Sequence, residues 1–237
     1  MKTQKQLLDD SIDKGESFSL PDALSPPRKV VILLFNMIPG LQVASFIVAV
    51  YLLPQTPLIN LAIATALLFL LPPLTSLLVL RLSDIKNKTI IIGSNEYLIW
   101  WFLACQQTLF SRLSFLEECI RLIPGLYSLW LRLWGSQIGS LTYWAPGTRI
   151  LDRSFLNIGD SVILGLGTRL SPHVIMKDDY GTLMLHLDTI TVEDNSVIGG
   201  YSLLSAGTRI LKGSATRAFT ISPPYSIWKD TKRVRSR

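Results

Sequence analysis

The chain has 237 residues, of which 49% are hydrophobic and only 17% charged, with a formal net charge of +6. That balance is unusual for a soluble protein and makes a membrane segment the first feature to seek. The basic excess comes with no base-reading motif, which argues against a nucleic-acid partner. Cys105 and Cys119 lack metal-ligand spacing and read as reduced packing residues.

Residues 1–29 form a polar arm of mixed charge. From Val30 to Leu80 there is no Asp, Glu, Lys or Arg, and "PQTP" at Pro54–Pro57 divides the run into 30–53 and 58–80. Each half exceeds the roughly 20 apolar residues a spanning helix needs, so residues 30–82 predict a transmembrane hairpin. The run starts too late and is too long for a cleaved signal peptide. Arg28 and Lys29 precede it, and Arg81, Lys86 and Lys88 follow it, so the positive-inside rule places both ends in the cytoplasm. Pro39, Pro72 and Pro73 interrupt the spans, and a re-entrant hairpin is the alternative. Residues 83–132 are aromatic and amphipathic and predict interfacial helices. Their Trp100, Trp101 and Trp130, with Trp134 just beyond, suit either a membrane surface or packing on the domain that follows.

From residue 133 to 227 the sequence repeats. "GTRI" at Gly147–Ile150 returns as "GTRL" at Gly167–Leu170 and as "GTRI" at Gly207–Ile210, 20 and then 40 residues on, which is 18 plus 2 and 36 plus 4. Steps of six from Ile138, Ile158 and Val192 land on large apolar residues, and the fourth residue after each is small or β-branched. Such a chain turns every six residues, closes a triangular coil with three sides, and stacks coils at about 4.8 Å. In this register the three GTR copies are passes over one corner, with Gly turning, Thr inside and Arg outward. The period is lost between Met176 and Val192, read as one degraded side plus a loop. His173 and His186 flank that break and are the chain's two histidines.

The repeat resembles the hexapeptide-repeat acyltransferase family, which implies an all-β left-handed parallel β-helix behind the hairpin and interfacial helices. The run from the hairpin through "YSLWLRLWGSQIG" and "LDRSFLNIGD" is similar to the membrane-bound transferase domains of polylysine-synthetase-type peptide synthetases. The resemblance implies a homotrimer that uses acyl-CoA, acetyl-CoA first, with a histidine as general base. An imidazole near neutral pKa can take the proton of an attacking hydroxyl or amine. That base is His173, with His186 in reserve, and Asp178, Asp179 or Glu193 could orient it. Family members close on a Gly-x-Pro-Ala-basic pattern near CoA; "ISPPYSIWK" keeps the proline and the basic residue, which points to Pro223 and Lys229. Gly200, Ser205 and Gly207 are candidates for the pantetheine arm. No metal is implied, since γ-class carbonic anhydrases of this fold need three histidine ligands. The acceptor implied is a lipid-, glycan- or peptide-like molecule at the cytoplasmic face of a bacterial inner membrane. Residues 228–237 are a basic tail for anionic headgroups, or a frayed end. The rival expectation is a non-catalytic membrane-tethered scaffold.

Overall fold

The computed structural model describes residues 24–178 and 181–236; most of the N-terminal arm, and Asp179, lie outside the described residues. Helices α1 (Pro26–Asn36) and α2 (Ile38–Tyr51) run on as one rod, as do α3 (Pro57–Phe69) and α4 (Leu71–Leu82). Prolines mark both joints. Pro39 lies in the first turn of α2, and Pro72 and Pro73 in that of α4, where a missing N–H loses no helical bond. Each rod has 26 residues and is apolar enough to cross a bilayer. Its length is about 39 Å against a hydrocarbon core of roughly 30 Å. Leu33, Leu58 and Leu78 stand exposed on these rods. The first rod begins at Pro26, so Arg28 and Lys29 belong to it rather than to the arm.

Residues 83–132, expected as helices throughout, include a strand, β1 (Lys88–Ile91). Its Thr89, Ile90 and Ile91 are β-branched and favour extended backbone. Then come α5 (Asn95–Arg112), α6 (Phe115–Arg121) and α7 (Leu126–Leu133). Ser94 caps α5 by accepting from the Tyr97 N–H at 3.2 Å. Trp100, Trp130 and Trp134 are buried, so of the two roles open to them these indoles take packing.

Short strands follow: β2 (Gln137–Ile138), β3 (Tyr143–Trp144), β4 (Arg149–Ile150), β5 (Leu156–Ile158), β6 (Ile163–Leu164) and β7 (Arg169–Ser171). After a hairpin of β8 (His173–Lys177) and β9 (Leu183–Leu187) come β10 (Ile190–Val192), β11 (Val197–Ile198), β12 (Leu203–Ser205), β13 (Arg209–Ile210), β14 (Ile221–Ser222), β15 (Ser226–Lys229) and β16 (Lys232–Ser236). β2, β5, β10, β13 and β15 stack in parallel as a first face; β3, β6 and β11 form a second; β4, β7, β12 and β14 form a third. The result is a three-sided parallel β-helix.

Its interior follows the six-residue step. Ile138, Ile150, Ile158, Leu164, Leu170, Val192, Ile198, Leu204 and Ile210 are all buried. Thr148, Thr168 and Ser202, four residues after such positions, donate to the carbonyl three residues back at 2.6–2.7 Å. A small hydroxyl at the corner therefore fills the prism's edge and satisfies a buried carbonyl at once. The residue before each hydroxyl takes positive φ: 73° at Gly147 and 65° at Gly167.

Glycine also recurs one step after the inward residue, for a different reason. A Cβ on Gly199 would lie 2.2 Å from the Arg217 carbonyl carbon in the next coil. Gly199→Ala should therefore destabilise by about 1–3 kcal/mol, the cost of overpacking. Gly40→Ala, where a Cβ meets nothing within 4 Å, should not lower the melting temperature of the detergent-solubilised protein.

Three expectations are corrected. The first two GTR copies do share a corner, since Arg149 pairs with Arg169 and Ile150 with Leu170. The third lies on the first face, where Arg209 pairs with Thr191 and Ile227. The cause is the break: the path from Leu170 to Val192 takes 22 residues where a regular step takes six, so it is a full excursion with no degraded side. The basic end is no loose tail either, because β16 pairs antiparallel with β15. Trp228 closes the last coil, its Nε1 donating to Ser222 Oγ at 2.9 Å and Ser226 Oγ at 3.1 Å.

Candidate active site

Both departures from the six-residue step fall at one corner, between the third and first faces. The smaller is a step of eight residues from Ile150 to Ile158, and Asp152 and Arg153 lie in it. The larger is the β8–β9 hairpin, which leaves the prism one coil on. Because Ile150 pairs with Leu170, the residues that follow each strand come together.

His173 Nδ1 donates to Asp152 Oδ2. Trp100 Nε1, from α5, donates to Asp152 Oδ1 at 3.1 Å. The indole also meets the imidazole edge-on, with centroids 5.1 Å apart at 70°. Asp152 is 1% exposed, whereas the His173 side chain is 25% exposed. With Nδ1 carrying the proton toward Asp152, the basic nitrogen of neutral His173 is Nε2. Burial by itself would push this imidazole pKa down. The charge and hydrogen bond of Asp152 outweigh that, and the net shift is upward.

His186 has other surroundings. Val174 stands opposite His186 and Leu187 opposite His173, so the two histidines occupy opposite faces of the hairpin. His186 Nδ1 lies 3.2 Å from both Tyr225 OH and Thr89 Oγ1. Val174, four residues after Leu170 and so an inward corner position in the six-residue register, is instead in the hairpin.

The carboxylates expected to orient the base are elsewhere. Asp178 closes the hairpin turn, accepting from Thr182 N–H at 2.7 Å. Glu193 accepts from Arg209 Nε at 2.7 Å and Lys212 N–H at 3.0 Å. Asp179 is outside the described residues. Asp152 takes the position they were considered for, and the signal that could have found it is the two-residue excess between the first two GTR copies.

The CoA-contact candidates do not gather at one place. Ser205 pairs with Ser171 at the foot of the hairpin. Gly207 helps line a polar groove of about 500 Å³ over the first face, beside Asn157, Thr191, Arg209 and Tyr225. Asp188 lines the same groove, and burial raises its carboxyl pKa. Gly200 is at another corner, accepting from the Phe219 N–H at 2.8 Å. Pro223 and Lys229 are exposed on the last coil.

Arg153 points away from the pair and is 1% exposed. Its Nε donates to Glu117 Oε1 at 2.7 Å, and its Nη1 to Gln107 Oε1 at 3.2 Å. Arg121 Nη2 reaches the other Glu117 oxygen at 3.0 Å, Tyr127 OH at 2.8 Å and Thr148 O at 2.9 Å. This buried network clamps α6 and α7 to the corner that carries Asp152.

No protein-family model matches the chain, and no curated protein matches it. Solved structures do. A hexapeptide-repeat-containing acetyltransferase from Vibrio cholerae is 18% identical, with a TM-score of 0.36 over 55% of this chain and 91% of its own. A galactoside acetyltransferase in complex with coenzyme A is 12% identical, with a TM-score of 0.32 over 63% of this chain and 86% of its own. A serine acetyltransferase from Neisseria gonorrhoeae is 14% identical, with a TM-score of 0.27 over 86% of this chain and 79% of its own. Likeness at this level carries no active site and no substrate over to this chain.

Proposed function

We propose that this protein is a membrane-anchored acyltransferase that moves an acyl group, acetyl first, from CoA to a hydroxyl or amine of a lipid-, glycan- or peptide-like acceptor at the cytoplasmic face. The observation that carries the reading is the buried Asp152 carboxylate, which fixes His173 by Nδ1 and leaves Nε2 as the basic nitrogen of a side chain that is a quarter exposed. Nε2 takes the acceptor proton as the acceptor oxygen or nitrogen bonds to the thioester carbonyl carbon. The tetrahedral intermediate collapses, the C–S bond breaks, and the imidazolium returns the proton to the CoA sulfur.

The hairpin rods anchor the chain, with both ends cytoplasmic by the flanking charges. The β-helix is left-handed in this reading. Further copies, as in a trimer, seat on the second face, where Tyr143, Ile163 and Val197 present an exposed apolar row.

Thiol release from acetyl-CoA by the detergent-solubilised protein, with membrane extract as acceptor source, tests the activity. The pH profile tests the base. Since the His173 pKa is raised, kcat/KM should climb with pH through a value above the ordinary imidazole figure of about 6.5 and then level off. Asp152→Asn removes the charge that raises the pKa, so the acidic limb should move to lower pH while the plateau falls. No thiol release, or a profile that ignores Asp152→Asn, would sink the reading.

A further inference from the structure

Trp100 and Trp101 are neighbours on α5 with different partners. Trp101 Nε1 donates to Asn36 Oδ1, at the end of α1, at 2.9 Å. Trp100 Nε1 donates to Asp152 Oδ1 at 3.1 Å, in a contact where both residues are no more than 4% exposed. Arg28 of α1 reinforces the seam, with Nη1 on Gly93 O at 2.6 Å and Nη2 on Asn95 Oδ1 at 3.1 Å, at the start of α5. One helix thus holds the first apolar rod with one indole and the carboxylate of the His173 pair with the next.

A corner of the prism supplies Asp152 and the foot of the hairpin that leaves it supplies His173, but the donor to Oδ1 comes from the helical layer. A carboxylate held at one oxygen can still rotate; held at both, its plane is set. We propose that Trp100 is a positioning residue: it fixes the Asp152 carboxylate so that Oδ2 faces His173, and through α5 it ties the reactivity of His173 to the seating of the membrane hairpin. The catalytic part of this inference rests on the acyltransferase reading.

Removing the indole N–H leaves Oδ1 a buried acceptor without its donor. The carboxylate charge then falls more fully on His173, and the carboxylate plane is free to turn. The first effect raises the imidazole pKa further, and the second lowers kcat. Among the described residues, Asp188 lies beside His173, its N–H donating to Pro172 O at 2.9 Å. Tyr97 lies on α5 one turn before Trp100, and Lys88 lies two strands over on β1, ion-paired with Asp84 at 2.7 Å.

The test uses the full chain in lipid nanodiscs with Trp100 replaced by Phe and, separately, by benzothienylalanine, which keeps the indole shape but lacks the donor. Titration of ¹³C-labelled histidine by NMR reads the His173 pKa, with His186→Gln assigning the signals. Both variants should shift the His173 titration to higher pH, opposite to Asp152→Asn, and lower kcat about tenfold with KM little changed. Asn36→Ala, which releases Trp101, should shift it in the same direction by less. A benzothienylalanine protein with wild-type titration and kcat would show that Trp100 only packs and would overturn the proposal. An unmoved Asn36→Ala titration would overturn the link to the hairpin. A protein that turns over no acyl-CoA defeats the acyltransferase reading alone, because the titration still reports on Trp100.

Discussion

His173→Ala is expected to lower acyl transfer from acetyl-CoA by about a hundred- to ten-thousand-fold, the usual contribution of a positioned general base, while leaving the protein folded. His173 sits at the foot of the hairpin, outside the column of apolar residues that fills the prism, and its side chain is a quarter exposed. Its removal opens no hole in that core. Among the described residues it does leave Asp152 with Trp100 as its remaining side-chain donor, so a stability readout belongs beside the kinetics. His173→Gln separates the two effects, because its amide N–H can reach toward Asp152 but cannot act as a base. Thiol release should be lost in both variants, with Gln recovering more of the melting temperature. His186→Ala should cost far less, since His186 lies on the other face of the hairpin against Tyr225 and Thr89. If His186→Ala abolishes turnover and His173→Ala does not, the base has been assigned to the wrong face.

The largest stability effect is expected at Glu117, a residue with no part in the chemistry. One buried carboxylate serves two guanidinium groups, with Oε1 toward Arg153 and Oε2 toward Arg121. The side chains of all three are no more than 7% exposed. Glu117→Gln leaves buried Arg153 without its counter-charge, while Arg121 keeps Glu118, whose Oε1 accepts from its Nη1 at 2.5 Å. The expected loss is about 3–5 kcal/mol, the range for breaking a buried ion pair from one side. Arg153→Met should cost less, because Glu117 keeps Arg121 and the methionine can pack where the guanidinium lay near Phe110, Trp130 and Trp134. Thermal unfolding in detergent gives the order, and an Arg153→Met protein less stable than Glu117→Gln would contradict it. The network reaches Thr148 O at the corner just before β4, so its failure should loosen α6 and α7 from the prism.

How far each feature could be read from the chain depends on how local its cause is. The prism could be read because its cause repeats: every six residues an apolar side chain must point in, and a small hydroxyl must fit at the corner and bond the carbonyl three back. The two apolar rods could be read because length and lack of charge are local properties. His173 could be singled out because it stands beside the loss of period. Its partner could not. Asp152 is 21 residues earlier and Trp100 a further 52, and nothing local says that two irregular steps fall on the same corner of successive coils. Strand pairing decides that, through Ile150 against Leu170. The same pairing moved the third GTR copy to another face, since an excursion of unknown length resets which side follows it. Spacing counts residues along the chain, whereas the meeting of Asp152, His173 and Trp100 depends on coils stacked across it and on a helix layer docked against their edge.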